Sequence, residues 1–389
     1  MRGSGSILTD TEGCEVIDFV SQYGALPFGH NPAAIWDALA GVRDAQAPAM
    51  VGLSLPVAAG RLAERLTALA PPGLDRAFFC SSGAEAIEAA IKLARAGTAR
   101  TAVLSTEGAF HGLTLGALSA TGRAAYQQPF GAPIAGFDKV PFGDIEALRE
   151  TVRQHPAKYA AFIVEPIQSE GGIIAPPPCY LTAAAKLCRA HGIVFVADEI
   201  QTGLGRCGEM FASSAFGLEP DVITLAKALG GGLPSGAIGA TEEVMAGVEE
   251  GKTVQVGTYN GNPLTAAAAR ASLLEVLTPE AYVRLDELND RLLAGCEDVV
   301  ERSGFAAYTV GIRSKGCVMF SPVRVVDYET FKEHQDVELT ELAWLYNMNR
   351  GIFATPGREE EWTLSVVHTD DAVDRYVSVF EELGRELSS

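Results

Sequence analysis

The chain has 389 residues, of which 48% are apolar and 20% charged, a composition that supports a large buried core and excludes a disordered chain. Thirty Lys and Arg against 49 Asp and Glu leave a net charge of −19. Such a surface repels phosphate backbones and anionic lipid, which argues against nucleic acid and membranes as partners but leaves room for a local pocket that takes a small anion.

The cysteines (Cys14, Cys80, Cys179, Cys188, Cys207, Cys296 and Cys317) form no C-x-x-C pair, and the histidines show no H-E-x-x-H spacing. They read as free thiols of a reducing cytosol, with neither a disulfide framework nor a metal site. No apolar run approaches the ~18 residues that span a bilayer. The opening Met1–Ser6 has no apolar signal core and is set outside the fold. A cytoplasmic globular enzyme is the expectation.

In chain order, Val57–Leu69 has helical spacing and is stopped by Pro71-Pro72-Gly73, after which Arg76–Cys80 reads as a short strand. Ala84–Ala96 reads as helix, Thr101–Ser105 and Tyr159–Glu165 as strands, and Leu181–His191 as helix. Ile193–Ala197, Val222–Leu225 and Ala237–Ala240 read as further strands. Pro263–Leu277, Ala281–Ser303 and a closing segment near Asp370–Leu387 read as helices. Continuous apolar strands between amphipathic helices predict an α/β fold with a mostly parallel sheet covered on both faces. Residues 51–280 are expected to form a large domain. Residues 1–50 and 281–389 together form a smaller one, since neither end alone carries enough core.

Four segments fall where such a sheet places a ligand, at the carboxyl ends of strands. Cys80-Ser81-Ser82-Gly83-Ala84-Glu85 opens a helix with small residues, so backbone N–H groups and the positive helix end make an anion cradle. Phe110-His111 supplies flat rings in a loop after a strand. Ala197-Asp198-Glu199-Ile200-Gln201 puts two acids behind a buried strand, where they need partners or a charged ligand. Ala226-Lys227-Ala228 ends another strand on an amine that desolvation would make nucleophilic. Singly, each has an ordinary reading: a capped turn, loop packing, solvated acids, a snorkelling lysine. Together, a phosphate cradle, an aromatic face, a carboxylate and a strand-end lysine are the parts that hold pyridoxal 5'-phosphate.

The segments IDFVSQYGALPFGHNPAAI, SSGAEAIEAAIKLAR, AFHGLTLGALSATG, FIVEPIQSEGG, VADEIQTGLGRCGEMF, TLAKALGGGLPSGAIGA and GTYNGNPLTAAAA closely resemble class III (ω-type) pyridoxal-phosphate aminotransferases. That group includes acetylornithine and ornithine aminotransferases and glutamate-1-semialdehyde aminomutase. The resemblance implies fold type I, with a seven-stranded, mostly parallel sheet and a smaller α+β domain built from both termini.

It also implies that Lys227 is the Schiff-base lysine and proton shuttle, in a reaction passing through pyridoxamine phosphate. Asp198 pairs with the pyridinium nitrogen, Ile200 and Phe110 pack on the two ring faces beside His111, and Gln201 reaches the phenolic oxygen. Ser82, Gly83 and Ala84 hold the phosphate, Thr258 reaches it from a neighbouring subunit of a homodimer, and Glu165 is an orienting carboxylate.

The chain departs from the acetylornithine and ornithine enzymes where they bind substrate. Trp362 stands at the place of their C-terminal arginine, Leu113 follows the Phe-His-Gly motif in place of another arginine, and Glu170 lacks its usual partner. An indole cannot replace a bidentate guanidinium clamp. The expected substrate residues are therefore Tyr23 and Trp362, forming an apolar wall, with Glu170 and Arg358 nearby. Arg358, Arg123 and Arg313 are possible replacement anchors, each of which read singly is a surface arginine. The leading function is transfer of an amino group from an amino-acid donor to a ketone or aldehyde, in specialised metabolism. An aminomutase, racemase or decarboxylase is the alternative on the same apparatus, and a catalytically silent scaffold is disfavoured because the lysine, acid and cradle all survive.

Overall fold

The computed structural model describes residues 1–49, 56–131, 133–304, 306–356 and 361–387. Its centre is a seven-stranded sheet whose strands run, edge to edge, Arg76–Cys80, Gly236–Ala240, Val222–Leu225, Val194–Asp198, Tyr159–Val164, Ala102–Thr106 and Phe137–Val140. Gly236–Ala240 is antiparallel to both of its neighbours and every other pairing is parallel. Two antiparallel steps restore direction, so six strands deliver their carboxyl ends to one edge of the sheet.

The inner strands are buried on both faces, as their unbroken apolar runs require. Phe162, Val164, Phe195 and Ala197 join one core cluster, whereas Ala161, Ile163 and Val196 join the cluster on the opposite face. Helix Gly83–Thr98 covers the second face, presenting Ile87, Ile91 and Ala94 to it. The period-two alternation of side chains along each strand is what divides these residues between two layers.

Two smaller sheets complete the fold. Arg2–Ser4, Ile7–Thr9 and Glu15–Asp18 form a meander whose last strand pairs in parallel with Ile352–Phe353, joining the two ends of the chain. Ala307–Ile312, Lys315–Phe320 and Glu361–Thr363 form the other. Helix Pro279–Ser303 lines up Leu285, Leu288, Leu292, Cys296 and Val299 at three- and four-residue spacing against Val373, Tyr376, Phe380 and Leu383 of helix Asp370–Leu387. Among the described residues no helix is long and apolar enough to cross a membrane.

Several expectations need correction. Met1–Ser6 belongs to the fold: Arg2–Ser4 is a strand, and Gly5 exchanges backbone hydrogen bonds with His30. The edge strand Phe137–Val140 and helix Ile145–Gln154 carry too mixed a pattern to stand out. The edge strand is half-buried and holds Asp138 against Lys158 at 2.6 Å, so it lacks the continuous apolar run of its neighbours. The helix foreseen over Pro263–Leu277 runs as Pro263–Ala271 and then widens into a π turn over Ser272–Val276. Ser272 Oγ donates there to Ala228 O at 3.1 Å, tying this helix to the residue after Lys227.

Phe195 is 1% exposed and meets Phe162 ring to ring at 6.1 Å in the middle of the sheet. Phe195→Ala is expected to cost about 3–5 kcal/mol, read as a lower denaturant midpoint; a loss below about 1 kcal/mol would mean that this layer repacks.

Candidate active site

The sheet's carboxyl edge opens into a cavity of ≈ 600 Å³ lined by Ser82, Gly83, Ala84, Phe110, His111, Glu165, Asp198, Ile200, Gln201 and Lys227, within the size range of small-molecule and cofactor sites. Residues from five separate strand ends thus meet at one place. Gln22, Ala25, Leu26, Leu233, Pro234 and Ser235 close its outer side.

At one wall, strand Arg76–Cys80 passes through Ser81 and Ser82 into helix Gly83–Thr98. Ser82 Oγ accepts from Glu85 N at 3.2 Å and caps the helix, while Ser81 N donates to Glu85 Oε2 at 2.7 Å. The Gly83 and Ala84 amides lie ahead of the helix's own hydrogen-bond ladder, the condition that suits a helix start to an anion. A Cβ on Gly83 would stand 2.9 Å from Ile200 Cδ1, and one on Gly112, at φ +122°, 2.9 Å from Ala84 Cβ. Only glycine leaves the cradle this shape.

The floor is Asp198, 3% exposed at the end of its strand. Oδ1 accepts from Ile200 N at 3.1 Å and Thr224 Oγ1 at 2.9 Å, and Oδ2 lies 2.7 Å from His111 Nδ1. The His111 backbone N donates to Thr121 Oγ1 at 3.0 Å, fixing the ring, while His111 Nε2 is buried without a hydrogen-bond partner. The neighbouring acid has a different task. Glu199, 1% exposed, accepts from Thr202 Oγ1, Ala212 N and Ser213 N and so pins the following loop. Burial pushes its carboxyl upward.

Glu165 accepts from Phe110 N at 2.9 Å and so sets the aromatic loop against the cavity. Burial, seconded by the charge of Asp198, raises its carboxyl to about 8. Raised in this way, it repels Asp198 less than an ordinary carboxylate would.

Lys227 follows strand Val222–Leu225 with φ +46°, a left-handed conformation costly for a residue with a Cβ and characteristic of functional sites. Its Nζ donates to Gln201 Oε1 at 2.6 Å and to Tyr23 O at 2.9 Å. Desolvation by the surrounding protein is the main force lowering the amine from 10.5 to about 8, which enlarges its neutral, nucleophilic fraction near neutrality.

Two of the expected substrate residues, Trp362 and Tyr23, do not turn their side chains into the cavity. Trp362 is a core residue, 1% exposed, donating Nε1–H to Asn289 Oδ1 at 2.7 Å and meeting Tyr376 edge-on. It lies in the inward row of a strand whose neighbours decide its direction. Tyr23 contributes its carbonyl rather than its ring, which points to solvent at 45% exposure. Ser21, Gln22 and Tyr23 all have positive φ. Asp18 Oδ1 accepts from the Val20 and Ser21 amides, and that turn aims the Tyr23 carbonyl at the amine.

Glu170 does have a partner: Arg123 Nη1 stands 3.2 Å from its Oε2. Arg123, 7% exposed, also lies over the Tyr126 and Tyr328 rings, so it is no surface arginine. Arg313 is one, exposed and paired with Asp286. Arg358 lies outside the described residues. Thr258 is exposed on the segment Gln255–Gly261, away from the cavity of its own chain.

Three groups were not foreseen. Arg206, fully buried, donates to Gly24 O, Leu364 O and Ser314 Oγ, holding the turn that carries Tyr23. Glu361 accepts from Gln201 Nε2 at 3.0 Å, and Lys315 pairs with Glu361 at 2.7 Å. Arg206 stood within the quoted VADEIQTGLGRCGEMF segment, whereas Glu361 and Lys315 are 46 positions apart in sequence and offered no local signal.

The family profile described as Aminotransferase class-III matches residues 1–334. Among solved structures, the chain is similar to an omega-transaminase from Sphaerobacter thermophilus, with TM-score 0.89 and 28% identity, covering 100% of this chain and 91% of that one. It is similar also to a beta-phenylalanine aminotransferase from Variovorax paradoxus, with TM-score 0.87 and 28% identity over 98% of this chain and 86% of that one. An (S)-enantioselective omega-transaminase from Thermomicrobium roseum matches with TM-score 0.87 and 28% identity, over 100% and 92%.

Trp362→Phe should leave the buried Asn289 without its donor and cost about 1–3 kcal/mol of stability, seen as a lower thermal midpoint. The preference among amine donors should not move. A changed preference would return Trp362 to the substrate wall.

Proposed function

The chain belongs to the class III aminotransferases, and on that premise we propose that Lys227 and Asp198 organise the transfer of an amino group from a donor amine to a ketone or aldehyde whose organic part is apolar. The enzyme is pyridoxal-phosphate dependent, and the cofactor, when bound, supplies the electron sink that makes the amine-bearing carbon acidic. The residues suit that group: the glycine-shaped helix start fits a phosphate, and the buried, unpartnered His111 Nε2 and the carboxylate of Asp198 mark a polar floor.

Ser82, Gly83 and Ala84 would hold the phosphate at the helix N-terminus. Asp198, oriented by Thr224 and His111, would hold a proton at the ring nitrogen. Phe110 and Ile200 would flank the ring and exclude water, with Gln201 at the phenolic oxygen. Lys227 would anchor the aldehyde carbon, and its Nζ, once freed, would carry the proton to and from the donor carbon. Its depressed basicity suits both tasks, because only the neutral amine accepts that proton.

The substrate reading rests on the outer lining. Ala25, Leu26, Leu233 and Pro234 are apolar, and among the described lining residues Lys227 is the only lysine or arginine. A donor held mainly by its α-carboxylate would find no guanidinium there. The printed names of the neighbours, a beta-phenylalanine aminotransferase and omega-transaminases, support amines that are not α-amino acids. The dimer reading rests on Thr258, which stands beside the exposed Val254, Val256 and Tyr259. Three large apolar side chains on one short segment suit a surface covered by a second copy.

The function is tested by mixing cofactor-loaded enzyme with 1-phenylethylamine, β-phenylalanine or L-glutamate. The two aryl donors should bleach the visible absorbance band, and Lys227→Ala should abolish that conversion together with borohydride labelling of the peptide. Faster conversion with L-glutamate would overturn the substrate reading.

Shared sites are tested by coexpressing Lys227→Ala with Thr258→Val. If Thr258 serves its neighbour, heterodimers place both lesions in one site and leave the other intact. Activity should then return to roughly half of the wild-type value per heterodimer. No recovery in a verified heterodimer would place Thr258 in its own chain's site.

A further inference from the structure

Behind Gln201, strands Lys315–Phe320 and Glu361–Thr363 run antiparallel with Lys315 opposite Thr363 and Cys317 opposite Glu361. This register brings Lys315 Nζ to 2.7 Å from Glu361 Oε2, with both side chains 2% exposed. The contact is an ion pair without an aligned hydrogen bond, since neither atom has a partner of good geometry. The other oxygen, Glu361 Oε1, accepts from Gln201 Nε2 at 3.0 Å, and Gln201 Oε1 accepts from Lys227 Nζ at 2.6 Å. Glu361 is also fixed through its backbone, its carbonyl accepting from Thr355 Oγ1 at 2.7 Å.

A primary amide can turn end for end with almost no change in shape, so partners decide its orientation. An ionised carboxylate only accepts hydrogen bonds. With Glu361 on one side, the NH₂ of Gln201 must face it, and the amide carbonyl is left facing the amine. Were position 361 a donor, Gln201 would present its NH₂ to the ammonium and repel it. A buried ion pair stabilises a fold little, or less than apolar residues of the same size would. An acceptor in this place is nevertheless required to orient Gln201.

We propose that Glu361, clamped by Lys315, is a positioning residue of the aminotransferase: it locks the Gln201 amide with its carbonyl oxygen toward Lys227 Nζ and so holds the reactive amine in place. The proposal rests on Lys227 being the reacting amine. The charged groups acting on Lys227 are Glu361, Glu170 and Glu165, which favour its protonation, and Lys315, which opposes it; Glu361 is the strongest of them. Removing the Glu361 charge and freeing the amide therefore act in the same direction, both disfavouring the cation at Nζ.

The test uses the full-length, cofactor-loaded enzyme. Glu361→Gln removes the charge at constant shape, and the double variant Lys315→Met, Glu361→Gln removes both charges and leaves none buried alone. The visible absorbance of the bound cofactor reports protonation at Lys227 Nζ, so its pH midpoint is followed with kcat, the donor KM and the thermal midpoint. Glu361→Gln should lower the pH midpoint by about 0.5 unit or more, the double variant by less because the opposing Lys315 charge leaves with it, and both should reduce kcat roughly tenfold or more, with a smaller change in KM. The double variant should do so even where its thermal midpoint equals that of the wild type. If the single variant does not fold, the double variant carries the test. A double variant with wild-type kcat, whatever its thermal stability, would reduce the pair to a strand fastener. Failure of the underlying reading is visible separately, as wild-type enzyme that borohydride does not label on Lys227.

Discussion

A carboxylate held inside the protein at the end of a doubly covered strand is the constraint on which the rest of the site depends. Asp198 is 3% exposed, and both of its oxygens are engaged, by Ile200 N, Thr224 Oγ1 and the His111 ring. Leaving such a group unmatched is among the costlier things a core can contain. The donors come from three elements: its own loop, the adjacent strand and the aromatic loop. Satisfying one side chain thus fixes the relative positions of all three. Glu165 extends the arrangement by taking Phe110 N, so the aromatic loop is set by two acids from neighbouring strands.

The amine is governed differently. Lys227 sits in a left-handed conformation between a turn near the amino terminus, which supplies the Tyr23 carbonyl, and a polar chain that ends on strand Glu361–Thr363. Arg206 braces the first of these by gripping Gly24 O and Leu364 O together. The small sheets are therefore part of the site, although among the described residues of the amino-terminal segment only Gln22, Ala25 and Leu26 line the cavity. What they contribute is orientation, through hydrogen bonds one step removed from the cavity wall.

Legibility in the sequence follows the same division. Strands buried on both faces announce themselves, and Tyr159–Val164 and Val222–Leu225 lie where their apolar runs put them. Phe137–Val140 does not, because an edge strand with one neighbour tolerates Asp138 and Lys139. Ser82, Phe110, Asp198 and Lys227 drew attention together because small, aromatic or charged residues at strand ends have a local signature, whereas Glu165, Ile200 and Gln201 were named only through the family resemblance. Trp362 was misread for the converse reason. By pattern an aromatic in a short strand faces a ligand or a core equally well, and here the core won because Asn289 and Tyr376 receive it. Glu170 and Arg123 likewise gave no hint of each other, being 47 residues apart.

Local sequence determined six of the seven strands of the central sheet and the chemical inventory at its carboxyl edge, since each depends on periodicity or on residues a few positions apart. Tertiary structure decided which acid touches the amine chain, which arginine is buried and which aromatic leaves the pocket. Those outcomes turn on pairings such as Lys315 with Glu361 and Gln201 with Lys227. A hydrogen bond is satisfied within about 3 Å, and only the folded chain brings residues so distant in sequence to that separation.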